Sequence, residues 1–414
     1  MDERYTHTTF DVAGELDERG RAWIAASRIG FAQGTSSEEN TRRWWDGAAI
    51  DGQRWHAIHR EPAWPGLGLD EVPVATFATM NHDVNVGGGR MLPSCFVLDV
   101  SVRASDRRQG LMRELMESAL RRAANEGLAL ASLTATEATL YGRFGFGVAT
   151  RVERVSVDLG TRFQLQHSPT ARVELADPRA IADVVDRLHD DFARTHLGAH
   201  QRVAMRTSFL SGEWDWGTMA PNTEIRAAVA IGDRGPVGAV TWKVSDGTAQ
   251  VLDLVGDELA LWQYLANLDL VESGSYGSMQ AGSALRAALV DERVVSTDST
   301  ADQIWLRLLD VPKALVARGW DVDGTVTLLV SDPLAITDGC WRVVVSGGVA
   351  EVVAVDESEA EVSLGVRELA ELYLGTGNAL VLAAAGRITG DAEAIRRVAR
   401  MFTTPEPAQN KIVF

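Results

Sequence analysis

The spacing of apolar residues alternates between strand and helix periods through the first third of the chain. Val72 to Met80 reads as a strand, and Asn81-His82-Asp83 and Gly87-Gly88-Gly89 read as turn signals. Cys95 to Val102 reads as a second strand, with Leu98, Val100 and Val102 alternating onto one face. The period then lengthens: Leu111, Met112, Leu115, Met116, Ala119, Leu120 and Ala123 form the apolar stripe of an amphipathic helix. Gly127 is placed to stop it, and Leu128 to Ala135 returns to a strand pattern. A strand–helix–strand unit of this length predicts parallel neighbours joined by a crossover helix.

Further along, Ala227 to Ser245 holds two β-rich runs around Gly232-Asp233-Arg234-Gly235, a hairpin signature. Val251-Leu252-Asp253-Leu254 echoes Val97-Leu98-Asp99-Val100, and the amphipathic segment Leu259 to Leu268 follows it as the Leu111 helix follows the first. A degenerate internal repeat is the preferred reading, with chance similarity of short apolar runs as the alternative. Trp305 to Leu309 fits strand or helix. Val326 to Val330, Cys340 to Val345 and Glu351 to Val355 read as successive strands. Leu369 to Leu374 and Ala392 to Phe402 read as helices, the latter N-capped by Asp391. The tail holds two prolines yet ends in Ile412-Val413-Phe414, and an apolar end predicts a docked terminus. The chain divides into three blocks: 1–158, 159–298 and 299–414.

At 414 residues, and roughly 150 per domain, this organisation fits a protein of about three domains. Hydrophobic residues are 46% and charged residues 23%, which excludes wholesale disorder. The formal charge of −17 argues against a general nucleic-acid or anionic-membrane partner and favours cationic substrates. Two cysteines make no disulfide framework and no Cys-rich zinc site. The acidic, polar start is unlike a signal peptide, and no apolar run approaches the ~20 residues of a membrane span. The expected location is the cytoplasm.

One stretch carries chemistry. Val100-Ser101-Val102 leads through Arg103, Arg107, Arg108 and Gln109 to Gly110 and directly into the Leu111 helix. The first turn of a helix offers unpaired N–H groups and a positive dipole end, Gly110 permits close approach, and the arginines add charge. Such a loop cradles a pyrophosphate; on spacing alone a solvated basic loop capping a helix is the commoner reading, because Arg-rich loops are common.

Arg107-Arg108-Gln109-Gly110-Leu111-Met112 resembles the acetyl-CoA motif of GCN5-related N-acetyltransferases, Arg/Gln-x-x-Gly-x-Gly/Ala, with Met112 in place of the small last residue. With Arg113, and with Leu140-Tyr141-Gly142-Arg143-Phe144-Gly145-Phe146-Gly147 further on, it resembles the Eis family. That family's hallmarks are Arg-Arg-x-Gly-Leu-Leu-Arg and Ile-Tyr-Gly-Arg-Phe-Gly-Tyr-Gly. The length and the C-terminal Phe414 agree. The likeness is strong over Phe96 to Thr150, weaker in the third block and faint in the second.

The resemblance implies an α/β fold with mixed sheets: tandem GCN5-type acetyltransferase domains followed by a sterol-carrier-protein-like domain whose C-terminus enters the active site. Acetyl-CoA is the implied co-substrate, with no metal. Val100, Ser101 and Val102 would face the pantetheine arm, Arg107, Arg108, Gln109, Gly110, Leu111, Met112 and Arg113 the pyrophosphate, and Thr136 and Glu137 the cofactor again. Tyr141 would be the general acid; a phenol with pKa near 10 is protonated at pH 7 and can donate. The carboxylate of Phe414 would be the base, directly or through water. The implied substrates are cationic amines (aminoglycosides, lysine side chains, polyamines), and the implied assembly is a homohexamer. The second block lacks an Arg-Arg-x-Gly loop after Leu254 and should not bind the cofactor.

Trp44, Trp45, Asp99 and Glu137 are candidates for the substrate pocket. Asp99 reads equally as a partner for the incoming ammonium and as an outward strand carboxylate. A CoA- or apolar-ligand-binding module without catalysis and a dedicated protein-lysine acetyltransferase are the competing functions. His56, His59, His189, His196 and His200 lack metal-ligand spacing. Cys95 reads as core, no Gly-x-Ser-x-Gly elbow is present, and Trp214 and Trp216 read as packing around Asp215 rather than a cleft.

Overall fold

The structure, a computed structural model, describes residues 3–61, 64, 66–215 and 220–414; Trp216 lies outside them. The first stretch runs β1 (Tyr5–Asp11), α1 (Glu18–Gly30), α2 (Glu38–Ile50), β2 (Arg54–Arg60), β3 (Ala75–Asn85), β4 (Met91–Val102), α3 (Leu111–Asn125), β5 (Leu130–Thr134), α4 (Ala138–Tyr141) and β6 (Gly147–Val148). Asp17 and Ser37 cap α1 and α2 by accepting from Gly20 N and Asn40 N. α3 buries Leu111, Leu115, Met116, Ala119, Leu120 and Ala123, the stripe its spacing predicts, and Gly127 leaves it at φ +81°. β4 and β5 pair in parallel across this helix. Asn81-His82-Asp83 is not a turn. β3 runs through it, with His82 opposite Ser94, because the chain reverses only at the three glycines that follow.

The middle stretch runs β7 (Arg151–Asp158), β8 (Arg172–Ala176), α5 (Ala182–Thr195), α6 (Ala204–Leu210), β9 (Arg226–Gly232), β10 (Gly235–Ser245), β11 (Thr248–Gly256), α7 (Glu258–Ala266), β12 (Ser273–Gln280), α8 (Leu285–Ala288) and β13 (Val295–Asp302). β9 and β10 form the expected hairpin, and β11–α7–β12 repeats the parallel crossover of β4–α3–β5. The two parallel pairings stop at equivalent places, Val97 on β4 and Val251 on β11. The echo seen in the sequence is thus a repeat of structure.

The last stretch runs β14 (Ile304–Leu308), α9 (Val311–Ala317), β15 (Gly324–Ser331), β16 (Gly339–Ser346), β17 (Val349–Ala354), β18 (Val362–Gly365), α10 (Val366–Tyr373), α11 (Ala379–Ala384), β19 (Ile388–Gly390) and α12 (Ala392–Met401). Asp391 caps α12 by accepting from Glu393 N and Ala394 N.

Among the described residues the strands form three sheets, ordered β1-β2-β3-β4-β5-β14-β6, β13-β7-β12-β11-β10-β9-β8 and β17-β16-β15-β18-β19. The sheets do not respect the block limits at 158 and 299. β7 leaves the first block for the second sheet, and β14 leaves the third block for the first sheet. The physical reason lies in the pairing. β14 covers the free edge of β5, which would otherwise expose unpaired backbone groups, and every one of its residues is buried.

Candidate active site

The site forms where β4 parts from β5. Their pairing ends at Val97–Leu133. Beyond it β4 stays on β3 but carries one extra residue: Ala78 faces Leu98, yet Thr76 faces Ser101. The bulge centres on Asp99, whose φ of +50° is the left-handed region. Strict alternation of Leu98, Val100 and Val102 therefore fails, because the bulge resets the faces after Leu98. Thr76 Oγ1 donates to Asp99 O at 3.1 Å, which leaves the Ser101 hydroxyl to donate to Thr76 Oγ1 at 2.7 Å. This parting leaves the β4 edge at Val100 and Val102 open toward a ligand.

The loop after β4 is held from below. Asp106 is buried and accepts from Tyr5 Oη at 3.2 Å, from Ser105 Oγ at 2.7 Å and from the Arg60 guanidinium. Burial pushes its pKa up, but Arg60, Ser105 and Tyr5 together outweigh that and hold it below the carboxylate range. Above this anchor Arg107, Arg108, Gln109 and Gly110 are exposed. Arg108 takes φ +64° and Gly110 φ +80°, and α3 starts with no side-chain cap. Its first N–H groups therefore face outward beside two arginines, an arrangement that fits a pyrophosphate. Arg113 is exposed and pairs with Glu117; Leu111 is buried and Met112 partly so.

Tyr141 ends α4 and is buried. Burial raises its phenol above the ordinary value, against a hydrogen bond from Thr136, so it stays protonated at neutral pH. The turn that follows is a seat for the last domain. A Cβ on Gly145 would strike Arg307 and Val366, and one on Gly147 would strike Arg367 O and Glu371. Arg307 donates to Phe144 O and pairs with Asp332 at 2.6 Å, both side chains fully buried. Asp332 also gathers Leu334 N, Ile336 N and Thr337 N.

The C-terminal tail is docked. Asn410 and Gln280 exchange two hydrogen bonds, Gln280 Nε2 to Asn410 O at 2.7 Å and Asn410 N to Gln280 Oε1 at 2.9 Å. His200 Nδ1 donates to Gln201 O at 2.7 Å, so Nε2 is the acceptor for Asn410 Nδ2 at 3.2 Å. Burial lowers the His200 pKa to about 4, consistent with this neutral tautomer. The Phe414 ring stacks on Phe96 and meets His200 edge-on. Thr134 Oγ1 donates to a terminal oxygen of Phe414 at 3.2 Å.

These elements enclose a cavity of about 310 Å³ that brings together Trp44, Asp99, Val100, Thr136, Tyr141 and Phe414. Two other candidates lie elsewhere. Trp45 is core, edge-on to Trp55, and Glu137 is exposed at the start of α4, outside the cavity wall. Trp45 follows Trp44 on α2, where consecutive side chains point different ways, and Glu137 is the extended residue that precedes α4. Phe31, Asp51, Met205 and Arg206, which no sequence signal singled out, also line the wall. Asp51 Oδ1 accepts from Ala204 N at 2.8 Å, and burial raises its pKa to about 6. No local signal marks it, because its place depends on α6 packing against α2. Cys95 is buried, with a thiol pushed up to about 12, as a core residue. Among the described residues no cluster of His, Cys, Asp or Glu is placed to hold a metal, and no helix is long and apolar enough to cross a membrane.

Comparison with known proteins places this geometry. Residues 19–149 match the acetyltransferase (GNAT) domain and residues 311–409 the sterol carrier protein domain. The chain is 32% identical to an uncharacterized N-acetyltransferase of Streptomyces avermitilis over 79% of this chain and 82% of the relative. It is 29% identical to the N-acetyltransferase Eis of Mycobacterium tuberculosis over 84% of this chain and 87% of that one. The crystal structure of Eis1 from Mycobacterium abscessus shares the fold with a TM-score of 0.79, covering 98% of this chain and 100% of that chain at 23% identity. The chain belongs to the Eis family of GCN5-related N-acetyltransferases.

In this Eis-family enzyme the second repeat has no Arg-Arg-x-Gly loop between β11 and α7. Asp257 caps α7 by accepting from Ala260 N, and Glu258 adds a second carboxylate at the helix start. Two negative charges sit where α3 offers two arginines, which disfavours a pyrophosphate there.

Proposed function

We propose that this N-acetyltransferase moves the acetyl group of acetyl-CoA to a primary amine of a cationic substrate, an aminoglycoside or a lysine side chain. The observation that carries this reading is the meeting of Tyr141 and the Phe414 terminus in one cavity at the point where β4 leaves β5. The open β4 edge at Val100, Ser101 and Val102 suits the pantetheine amides. Arg107 and Arg108 with the α3 N-terminus suit the pyrophosphate. Asp51 and Asp99 make the cavity wall acidic and Trp44 and Phe31 make it aromatic, which suits an ammonium on a bulky scaffold.

In this reading the amine attacks the thioester carbonyl, Tyr141 gives its proton to the departing thiolate, and the Phe414 carboxylate takes a proton from the nitrogen. Tyr141 is buried and protonated, as a general acid must be. A homohexamer in the cytoplasm belongs to the same reading and rests on the family resemblance; light scattering on purified protein checks the assembly.

The test is thiol release from acetyl-CoA with a panel of aminoglycosides and a lysine peptide. Native protein runs beside a variant carrying two glycines after Phe414. Turnover by native protein, with an extended variant that binds CoA but is inert, is the expected result. Inertness of native protein toward every amine would sink the substrate assignment. Equal turnover by both would remove Phe414 as the base.

A further inference from the structure

An ammonium that becomes an amide sheds two protons from nitrogen, and one carboxylate accepts only one. The cavity holds a second acceptor. Asp99 sits on the β4 bulge, two residues past the last β4–β5 pair, in the same wall as Tyr141 and Phe414.

We propose that Asp99 takes the first proton, converting the bound ammonium to the attacking amine, and that the Phe414 carboxylate takes the second as the C–N bond forms. This rests on the acetyltransferase reading above and assigns a catalytic residue within it. The proton count balances. The nitrogen passes one proton to Asp99, attacks the thioester carbon, and passes another to Phe414 as the C–S bond breaks. Tyr141 protonates the sulfur. One of the two carboxylic acids then returns a proton to Tyr141, and the other loses its own to water.

The internal repeat supplies a control. Asp253 occupies the matching place on β11, two residues past the last β11–β12 pair. There the carboxylate is committed: it accepts from His189 Nε2 at 2.9 Å and pairs with Arg202 at 3.3 Å. Its contacts with His189 and Arg202, helped by Lys411, outweigh its burial and hold it well below the carboxylate range. Asp99 has no such pair among the described residues. The titratable groups sharing its cavity are Asp51 at the end of α2, Arg206 on α6, Tyr141 and the terminus. His82 lies on β3, and Arg28 on α1 is turned to Gly34 O. None of them shifts it. Burial alone raises its pKa to about 7, the range in which a base relays protons at neutral pH.

The experiment compares native protein, Asp99→Asn and the two-glycine extension, each with acetyl-CoA and one aminoglycoside, measuring kcat/KM for the amine from pH 6 to 9.5. With Asp99 absent, the amine must arrive neutral, so activity should track the free-base fraction. Asp99→Asn is expected to lose ~100-fold at pH 7, a typical general-base contribution, and to recover to within about threefold of native at pH 9.5. The extension should be inert at every pH. A loss in Asp99→Asn that is constant across pH, or no loss at pH 7, overturns the proposal while leaving the acetyltransferase reading intact. Inertness of native protein toward all amines defeats both. Unchanged CoA affinity and thermal stability at or above native show that Asp99→Asn is folded.

Discussion

The Phe414 ring stacks on Phe96 with centroids 4.2 Å apart and planes inclined by 29°. Phe96 lies on β4 at the last stretch paired with β5, so the terminus is registered on the strand that opens the cavity. Replacing Phe96 by Leu keeps apolar volume but removes a stacking worth about 0.5–1.5 kcal/mol. The expected outcome is a kcat lowered roughly tenfold, as 1.4 kcal/mol implies, with the KM for acetyl-CoA nearly unchanged. Carboxypeptidase should also clip the loosened tail faster. A change in acetyl-CoA KM alone would show that Phe96 supports the cofactor wall rather than the terminus.

Arg307 and Asp332 join the last domain to the Tyr141 turn through Phe144 O. Asp332→Ala leaves a buried guanidinium without its counter-ion, and removing one partner of such a pair costs about 3–5 kcal/mol. Thermal unfolding should register it as a large fall in Tm. Gly145→Ala attacks the same contact differently, because its Cβ would displace Arg307 and Val366 and its φ is +79°. It should destabilise too, by roughly 1–3 kcal/mol for overpacking. Denaturant titration of both variants checks this, and native-like midpoints would mean that the seat is not a structural joint.

Arg108 is exposed at φ +64° at the mouth of α3. Arg107→Ala or Arg108→Ala should each raise the KM for acetyl-CoA about tenfold, the scale of one charge-assisted phosphate contact, with kcat little changed. Raising salt should weaken acetyl-CoA binding to native protein and narrow its gap to the variants. Equal KM values at low salt would place the pyrophosphate elsewhere.

The parts of this fold legible in the sequence were those set by local periodicity and caps. The α3 stripe, the parallel β4–α3–β5 unit, the β9–β10 hairpin and the Asp391 cap all follow from residues close in the chain. Pairings between distant segments were not legible. Nothing around Trp305 says that β14 crosses into the first sheet, and nothing near Asp51 says that its carboxylate will accept from Ala204 N. The bulge at Asp99 was hidden because it depends on β3 pairing, not on β4 composition. The motif residues Gly145 and Gly147 were recognisable by resemblance, but their reason, close contact with Arg307, Val366 and Glu371, appears only once α10 is in place.

A carboxylate kept for chemistry carries a cost in stability, and Asp99 makes that measurable. Its folded pKa of about 7 stands above the unfolded carboxylate value of 3.8. Between those values the folded state binds more protons than the unfolded one, so this group costs progressively more stability as pH rises from about 4 to 7, and the full penalty persists above 7. His200 acts in the opposite sense. Its folded pKa of about 4 lies below 6.5, so its contribution is lost as pH falls through that window. Asp99→Asn removes only the first effect. The variant should therefore be more stable than native protein at pH 8, by roughly 1–3 kcal/mol after allowance for partial solvation, and show little difference at pH 4.5. Paired denaturant titrations at the two pH values decide it. A gain of equal size at both would trace the effect to packing, and a loss at pH 8 would mean that the folded state stabilises the ionised carboxylate, which contradicts its isolation in the cavity.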